Sequence, residues 1–223
     1  MITSLLTQAI IKYVTGVIIV ALLLFLPAWS LHYWQGWLLI AILFVPMLVV
    51  GIVMYVKNKE LLKKRLKAKE SDKVQSKIVK YSAIIFIASF TVAGFNFRYQ
   101  WALLPNWAVW IASFVFILSY VMYAEVLREN TYLSRTIEVQ ENQRVIDTGL
   151  YSIVRHPMYT ATTILFLAMP IVLASPISFI IMLLYIPLIV HRIKTEETFL
   201  KNNLQGYKEY QQRVKYRLIP FLW

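Results

Sequence analysis

Long apolar runs alternate with short polar stretches through most of this chain. They fall at about 9–28, 34–56, 80–97 and 107–127, with two shorter runs at 160–173 and 177–190. The first four predict membrane-spanning helices, because a hydrocarbon core takes about 20 helical residues to cross. The run 160–173 reaches only about 21 Å as a helix, short of the roughly 30 Å core. Residues 160–190 are therefore read as one tight helical hairpin, broken at Ala174-Ser175-Pro176. Pro170 and Pro187 are expected to bend or unwind each arm, and such backbone at membrane depth needs partners from other helices.

Polar segments predict further elements. Lys59-Glu60-Leu61-Leu62-Lys63-Lys64-Arg65-Leu66 has the spacing of an amphipathic surface helix. Residues 134–146 read as extended, with Ile137, Val139, Val145 and Ile146 as the apolar positions, and Asp147-Thr148-Gly149 as a turn. A helix continues from His191 and stops around Asn202 to Gly206, which puts Arg192 and Glu196 on one face. Tyr207 to Arg217 predicts a basic aromatic helix suited to the headgroup zone.

Composition agrees, with 59% hydrophobic and 15% charged residues among 223. This is the balance of an all-α integral membrane protein of about six hydrophobic segments. It reads as one domain with two parts: membrane helices and a basic loop 57–80 in 1–127, and the unusual polar combinations in 128–223. Of 23 Lys and Arg residues, all but Arg98 fall on one side of a six-segment arrangement. The positive-inside tendency then places both termini, the 57–80 loop and the polar C-terminal region in the cytoplasm, with the cell membrane as the expected location. The net charge of +12 sits in juxtamembrane loops, which favours anionic lipid headgroups over nucleic acid as the partner. Residues 1–30 lack a small-residue cleavage motif, so the first helix is expected to be retained. Zero cysteines exclude disulfides, thiolate ligands and a cysteine nucleophile.

Candidate chemistry concentrates where Tyr151, Arg155, His156, Pro157, Met158 and Tyr159 abut the apolar run. Two readings fit. One is an interfacial helix start with a snorkelling arginine; the other is an anion site, because a helix N-terminus offers unpaired N–H groups and a favourable dipole. Arg192 and Glu196 read equally as a surface ion pair or, once the hairpin closes, as part of the same site. Tyr207, Tyr210 and Tyr216 read most simply as an interfacial aromatic belt, and Glu125 either as an intramembrane functional carboxylate or as a partner of Arg128. His32, His156 and His191 show no metal-ligand spacing, and no hydrolase, Walker or dinucleotide signature is present.

Taken together, Gly149-x-Tyr151, Arg155-His156-Pro157-x-Tyr159, Arg192-x-x-x-Glu196-Glu197-x-x-Leu200 and Tyr207-x-x-Tyr210-x-x-Arg213-Val214, with a tail at Pro220, resemble the isoprenylcysteine carboxyl methyltransferase family and its phospholipid N-methyltransferase relatives. The resemblance covers about 128–220. It departs from the family at Thr160-Ala161, where relatives often carry a glycine, and in the short spacing from Gly206 to Tyr207. It implies a membrane enzyme that uses S-adenosyl-L-methionine bound on the cytoplasmic side, with a lipophilic small molecule or lipid as substrate and no metal. Carried over by motif, Gln140, Gln143, Arg144, Val145, Ile146, Tyr151, His156, Pro157, Met158, Tyr159 and Glu196 would contact the cofactor. Arg192 would be the substrate-side residue, with Arg155, Glu197, Tyr207 and Tyr210 as further candidates.

The chemistry fits those roles. The cofactor's ammonium calls for a carboxylate such as Glu196, its carboxylate for an N–H-rich helix start, and Arg192 suits a two-pronged grip on an acceptor carboxylate. An ionised carboxylate needs no general base, whereas an amine acceptor needs one, and the nearest candidates are Glu196, Glu197 and Glu125. Carboxyl O-methylation is the favoured expectation. Phospholipid amine N-methylation is the first alternative, ahead of a lipid reductase or a non-catalytic membrane protein.

Overall fold

Apolar runs without internal breakers dictate the first half of the molecule. The computed structural model describes residues 4–66, 73–133 and 139–223, and among them the regular elements are helical. Helix α1 spans Leu5–Ala28, α2 Trp34–Lys57, α3 Lys59–Leu66, α4 Lys73–Tyr99 and α5 Asn106–Glu129. Ser4 caps α1 by accepting the Thr7 N–H at 3.1 Å. Ile10, Ile18, Leu22, Val49 and Ile52 stand exposed along α1 and α2, as lipid rather than water requires. Among the described residues, five helical spans are long and apolar enough to cross a membrane: α1, α2, α4, α5 and the unit Pro176–Asn203. The fold is an all-α integral membrane architecture.

A close approach of α1 to α4 begins the core. A Cβ on Gly94 would lie 2.5 Å from the Leu24 carbonyl oxygen and 2.6 Å from the Pro27 ring, so only glycine lets the two backbones meet there. Leu24, Tyr33, Phe90, Phe116, Met169 and Leu173 then close a continuous cluster across α1, α4, α5 and the C-terminal hairpin.

The hairpin is present, but its arms are unequal. Helix α6, Pro157–Val172, is short, and it runs through Pro170 for two more residues rather than unwinding there. Ala174 then takes a left-handed conformation (φ 55°). The Ser175 N–H donates to the Pro170 carbonyl and the Ala174 N–H to that of Ile171, both at 2.9 Å, which closes the helix end. Ser175 also caps α7, Pro176–Met182. A tight turn at 183–184 leads into α8, Tyr185–Asn203, so the disturbance expected at Pro187 falls just before it. The expectation that neither arm could cross a membrane holds for α6 alone, because the apolar register of α7 passes through the turn into α8.

Neighbours meet the hairpin tip. The Tyr33 hydroxyl donates to the Leu173 carbonyl at 2.9 Å, and the Leu104 N–H donates to that of Ala174 at 3.1 Å. Thus α6 lies against α5, and α7 against α4. At the opposite end α3 buries Leu61 and Leu62 and leaves Lys63 exposed, while Lys64 and Arg65 turn inward to Gln140 and Tyr123. The last helix, α9, covers only Tyr207–Arg213, shorter than the sequence suggested, and the chain leaves it at Val214.

The segment expected to be extended lies partly outside the described residues, Ile137 included. From 139 onward it forms a tight turn, with the Gln143 N–H donating to the Gln140 carbonyl at 3.1 Å and Asn142 at φ 57°. Gly149 (φ 49°) then starts a 3₁₀ turn, Gly149–Ser152, that carries Tyr151.

Candidate functional site

Two neighbouring glutamates on α8 organise the open end of the hairpin, and they face different partners. Glu197 is 2% exposed. Its Oε1 accepts from Arg155 Nε at 2.6 Å and lies 3.3 Å from His156 Nε2, while Oε2 accepts from Arg217 Nε at 2.9 Å. Arg155 also donates through Nη1 to the Val214 and Lys215 carbonyls at 2.6 and 2.9 Å. The Arg155 and His156 N–H groups donate to the Tyr216 and Arg217 carbonyls. The approach to α6, the middle of α8 and the C-terminal strap are thereby tied at one carboxylate.

Glu196 points elsewhere. It accepts a 2.5 Å hydrogen bond from the Tyr159 hydroxyl, which in turn accepts from Arg192 Nε at 2.9 Å. The expected pairing of Arg192 with Glu196 therefore includes a phenol between them. Tyr159 stands in the first turn of α6, only 7% exposed, and the His156 ring stacks beside it with centroids 5.7 Å apart.

These groups wall an open cleft. Gln143, Arg144, Val145 and Ile146 form one side, and Tyr151, Arg155, His156, Met158 and Tyr159 the floor. Arg192, Glu196, Tyr207 and Tyr210 complete it. Three residues singled out in the sequence stand behind the walls. Gln140 braces the 140–143 turn by donating to the Tyr132 carbonyl and accepting from Lys64 Nζ, both at 2.6 Å. Pro157 is the buried first residue of α6, and Glu197 lies beneath the floor in its ionic cluster.

The cleft also contains residues that sequence reasoning missed. Leu200 and Leu204 line it together with Asn130, Tyr132 and Leu133. Leu200 and Leu204 continue the spacing of four that begins at Arg192 and Glu196, a signal that was available. The other three follow the end of α5, where no periodicity marks them.

Tyr207 and Tyr210 are buried, at 4% and 2% exposure, which overturns the aromatic-belt reading for both. The Tyr210 hydroxyl donates to the Tyr151 carbonyl at 2.7 Å, and the Tyr151 hydroxyl accepts from Asn130 Nδ2 at 2.9 Å. Burial pushes all three phenols well above their ordinary value; for Tyr207 the Glu197 and Glu196 carboxylates add to the rise. Glu125 forms a two-pronged pair with Arg128 at 2.8 and 2.5 Å, away from the cleft.

Residues 110–202 match the sequence profile of the Isoprenylcysteine carboxyl methyltransferase (ICMT) family. Over 91 residues the chain is 31% identical to a Delta(14)-sterol reductase of Mus musculus, covering 40% of this chain and 22% of that protein. Over 115 residues it is 30% identical to Protein-S-isoprenylcysteine O-methyltransferase B of Arabidopsis thaliana, covering 47% and 57% respectively. The chain thus spans less than two thirds of the length of either relative. Among solved structures it is similar to the eukaryotic intramembrane Ras methyltransferase ICMT, with 19% identity and a TM-score of 0.49 over 99% of this chain and 88% of that one.

Proposed function

We propose that the cleft binds S-adenosylmethionine and that the protein methylates the carboxylate of a lipophilic acceptor, such as a prenylcysteine-like lipid, at the cytoplasmic face of a cell membrane. The observation that carries this reading is the convergence of three distant segments, 143–146, 151–159 and 192–204, on one cleft that carries both a carboxylate and an arginine. The donor set suits the cofactor. Glu196 offers a carboxylate for an ammonium, while Val145, Ile146, Leu200 and Leu204 offer apolar wall for an aromatic base.

When bound, the cofactor supplies an electrophilic methyl group on a sulfonium. The chain's residues bind, orient and exclude water. Arg192 grips the acceptor carboxylate, which is ionised at neutral pH and attacks without a general base. Tyr159, bonded to both Arg192 and Glu196, fixes the distance between the acceptor side and the cofactor side of the cleft. The apolar wall keeps the reacting groups dry.

Calorimetric titration of the purified protein in detergent tests the reading. Binding of S-adenosylmethionine, weakened at least tenfold by Glu196→Ala, is expected, followed by transfer of labelled methyl into a base-labile ester in a lipid extract. The identity with a sterol reductase favours a second reading, reduction of a lipid double bond by a nicotinamide cofactor. Binding of that cofactor without binding of S-adenosylmethionine would select it.

A further inference from the structure

Five tyrosines line the cleft, and four of them have their hydroxyls engaged, that of Tyr132 on the Asn142 carbonyl. Tyr159 bonds Glu196 and Arg192, Tyr210 bonds the Tyr151 carbonyl, and Tyr151 bonds Asn130. Tyr207 differs. Its side chain is buried and lines the cleft, yet among the described residues its hydroxyl has no hydrogen-bond partner. A shielded phenol left unpaired is unfavourable, and buried polar groups in native proteins are nearly always satisfied. Such an oxygen, on a residue that lines a cleft, is accounted for by a partner that arrives with the ligand.

Chemistry narrows that partner. The charged groups that act on the phenol are Glu197, Glu196 and Arg155, with Tyr210 beside them. Because burial and the two carboxylates keep Tyr207 protonated, it offers a neutral O–H donor. Arg155, the nearby cation, spends its Nε on Glu197 and its Nη1 on two carbonyls. A ligand with a cationic group on Glu196 and an anionic group beside it would find an unengaged donor in Tyr207, and an α-amino acid carries those two charged groups on one carbon atom.

We propose that Tyr207 is a ligand-binding residue whose hydroxyl donates to the carboxylate at the amino-acid end of the cofactor, while Glu196 holds the adjoining ammonium. This rests on the functional reading above and adds one contact to it.

The test compares wild-type protein with Tyr207→Phe, using the full chain in detergent and two ligands, S-adenosylmethionine and its decarboxylated form. Titration should show Tyr207→Phe weakening the first by about 10- to 100-fold and leaving the second unchanged, as loss of one hydrogen bond to a charged group predicts. The ligand-free variant should melt at or above the wild-type temperature, because the missing oxygen had no partner. Wild type alone should prefer the carboxylated ligand by a similar factor, a result that needs no variant. Equal affinity of variant and wild type for S-adenosylmethionine, equal losses on both ligands, or no wild-type preference overturns the assignment. Wild-type protein that binds neither ligand overturns the functional reading and this contact with it.

Discussion

The Arg155 guanidinium and the Glu197 carboxylate, 42 residues apart in sequence, meet at 2.6 Å with both side chains almost fully shielded. His156 and Arg217 share that carboxylate. Removing it leaves a buried guanidinium uncompensated, so Glu197→Ala should destabilise the fold by about 3–5 kcal/mol. Thermal unfolding in detergent measures this. The double variant Arg155→Met with Glu197→Met should recover much of the loss; a double variant no more stable than Glu197→Ala would show that the cluster acts through something other than charge pairing.

Tyr159 should matter through one atom. Tyr159→Phe keeps the ring against His156 but removes the hydroxyl that joins Arg192 to Glu196. A hydrogen bond to a charged group contributes about 1.5–3 kcal/mol, so methyl transfer should fall about 10- to 100-fold, and the melting temperature should fall too because both bonds are present without ligand. Steady-state rates against both substrates decide it, and wild-type rates in the variant would remove Tyr159 from the proposed chemistry.

Gly149 combines a left-handed backbone with a tight contact. A side chain there would be driven into the Glu129 carboxylate, which accepts from the Thr148 hydroxyl at 2.7 Å. Gly149→Ala should cost about 2 kcal/mol or more and weaken ligand binding by displacing the turn that carries Tyr151. Adding Glu129→Ala should relieve part of the penalty, so the two substitutions should be markedly non-additive in unfolding experiments.

Alkali should unfold the site end. Tyr151, Tyr207 and Tyr210 all titrate above the ordinary tyrosine value of about 10 because they are buried. A raised folded-state value means their contribution is complete below pH 10 and is lost as pH rises above it, since the unfolded chain then releases protons that the folded one retains. Melting temperature should stay level between about pH 7 and 9 and fall steeply beyond 10. Tyr207→Phe should shallow that fall; an unchanged slope would indicate that Tyr207 does not titrate against the fold.

The sequence made the long helices legible because uninterrupted apolar runs leave little choice in lipid. It also marked Tyr151, Arg155, His156, Tyr159, Arg192 and Glu196, whose residue types are out of place at an apolar boundary. Glu197 was harder to weigh. Its adjacent position made it look like an understudy to Glu196, and its partners come from 155–156 and 217, contacts that no local spacing encodes. The membrane-crossing length of α7 with α8 was hidden because the span ends among charged residues after His191, where hydropathy fades but the helix does not. Asn130, Tyr132 and Leu133 reach the cleft only because α5 ends beside it.

Helix α5 begins and α6 ends at one rim, since the Leu104 N–H meets the Ala174 carbonyl there. The 24 residues of α5 then run about 36 Å and the 16 of α6 only about 24 Å. The floor of the cleft is consequently set back by about 12 Å from the level that α5 reaches, like the bottom of a step cut into a membrane surface. Under the proposed function, a lipid with a polar end at headgroup depth would present it there without being lifted from its leaflet, so the work of extracting a greasy tail into water would be left out of the reaction altogether.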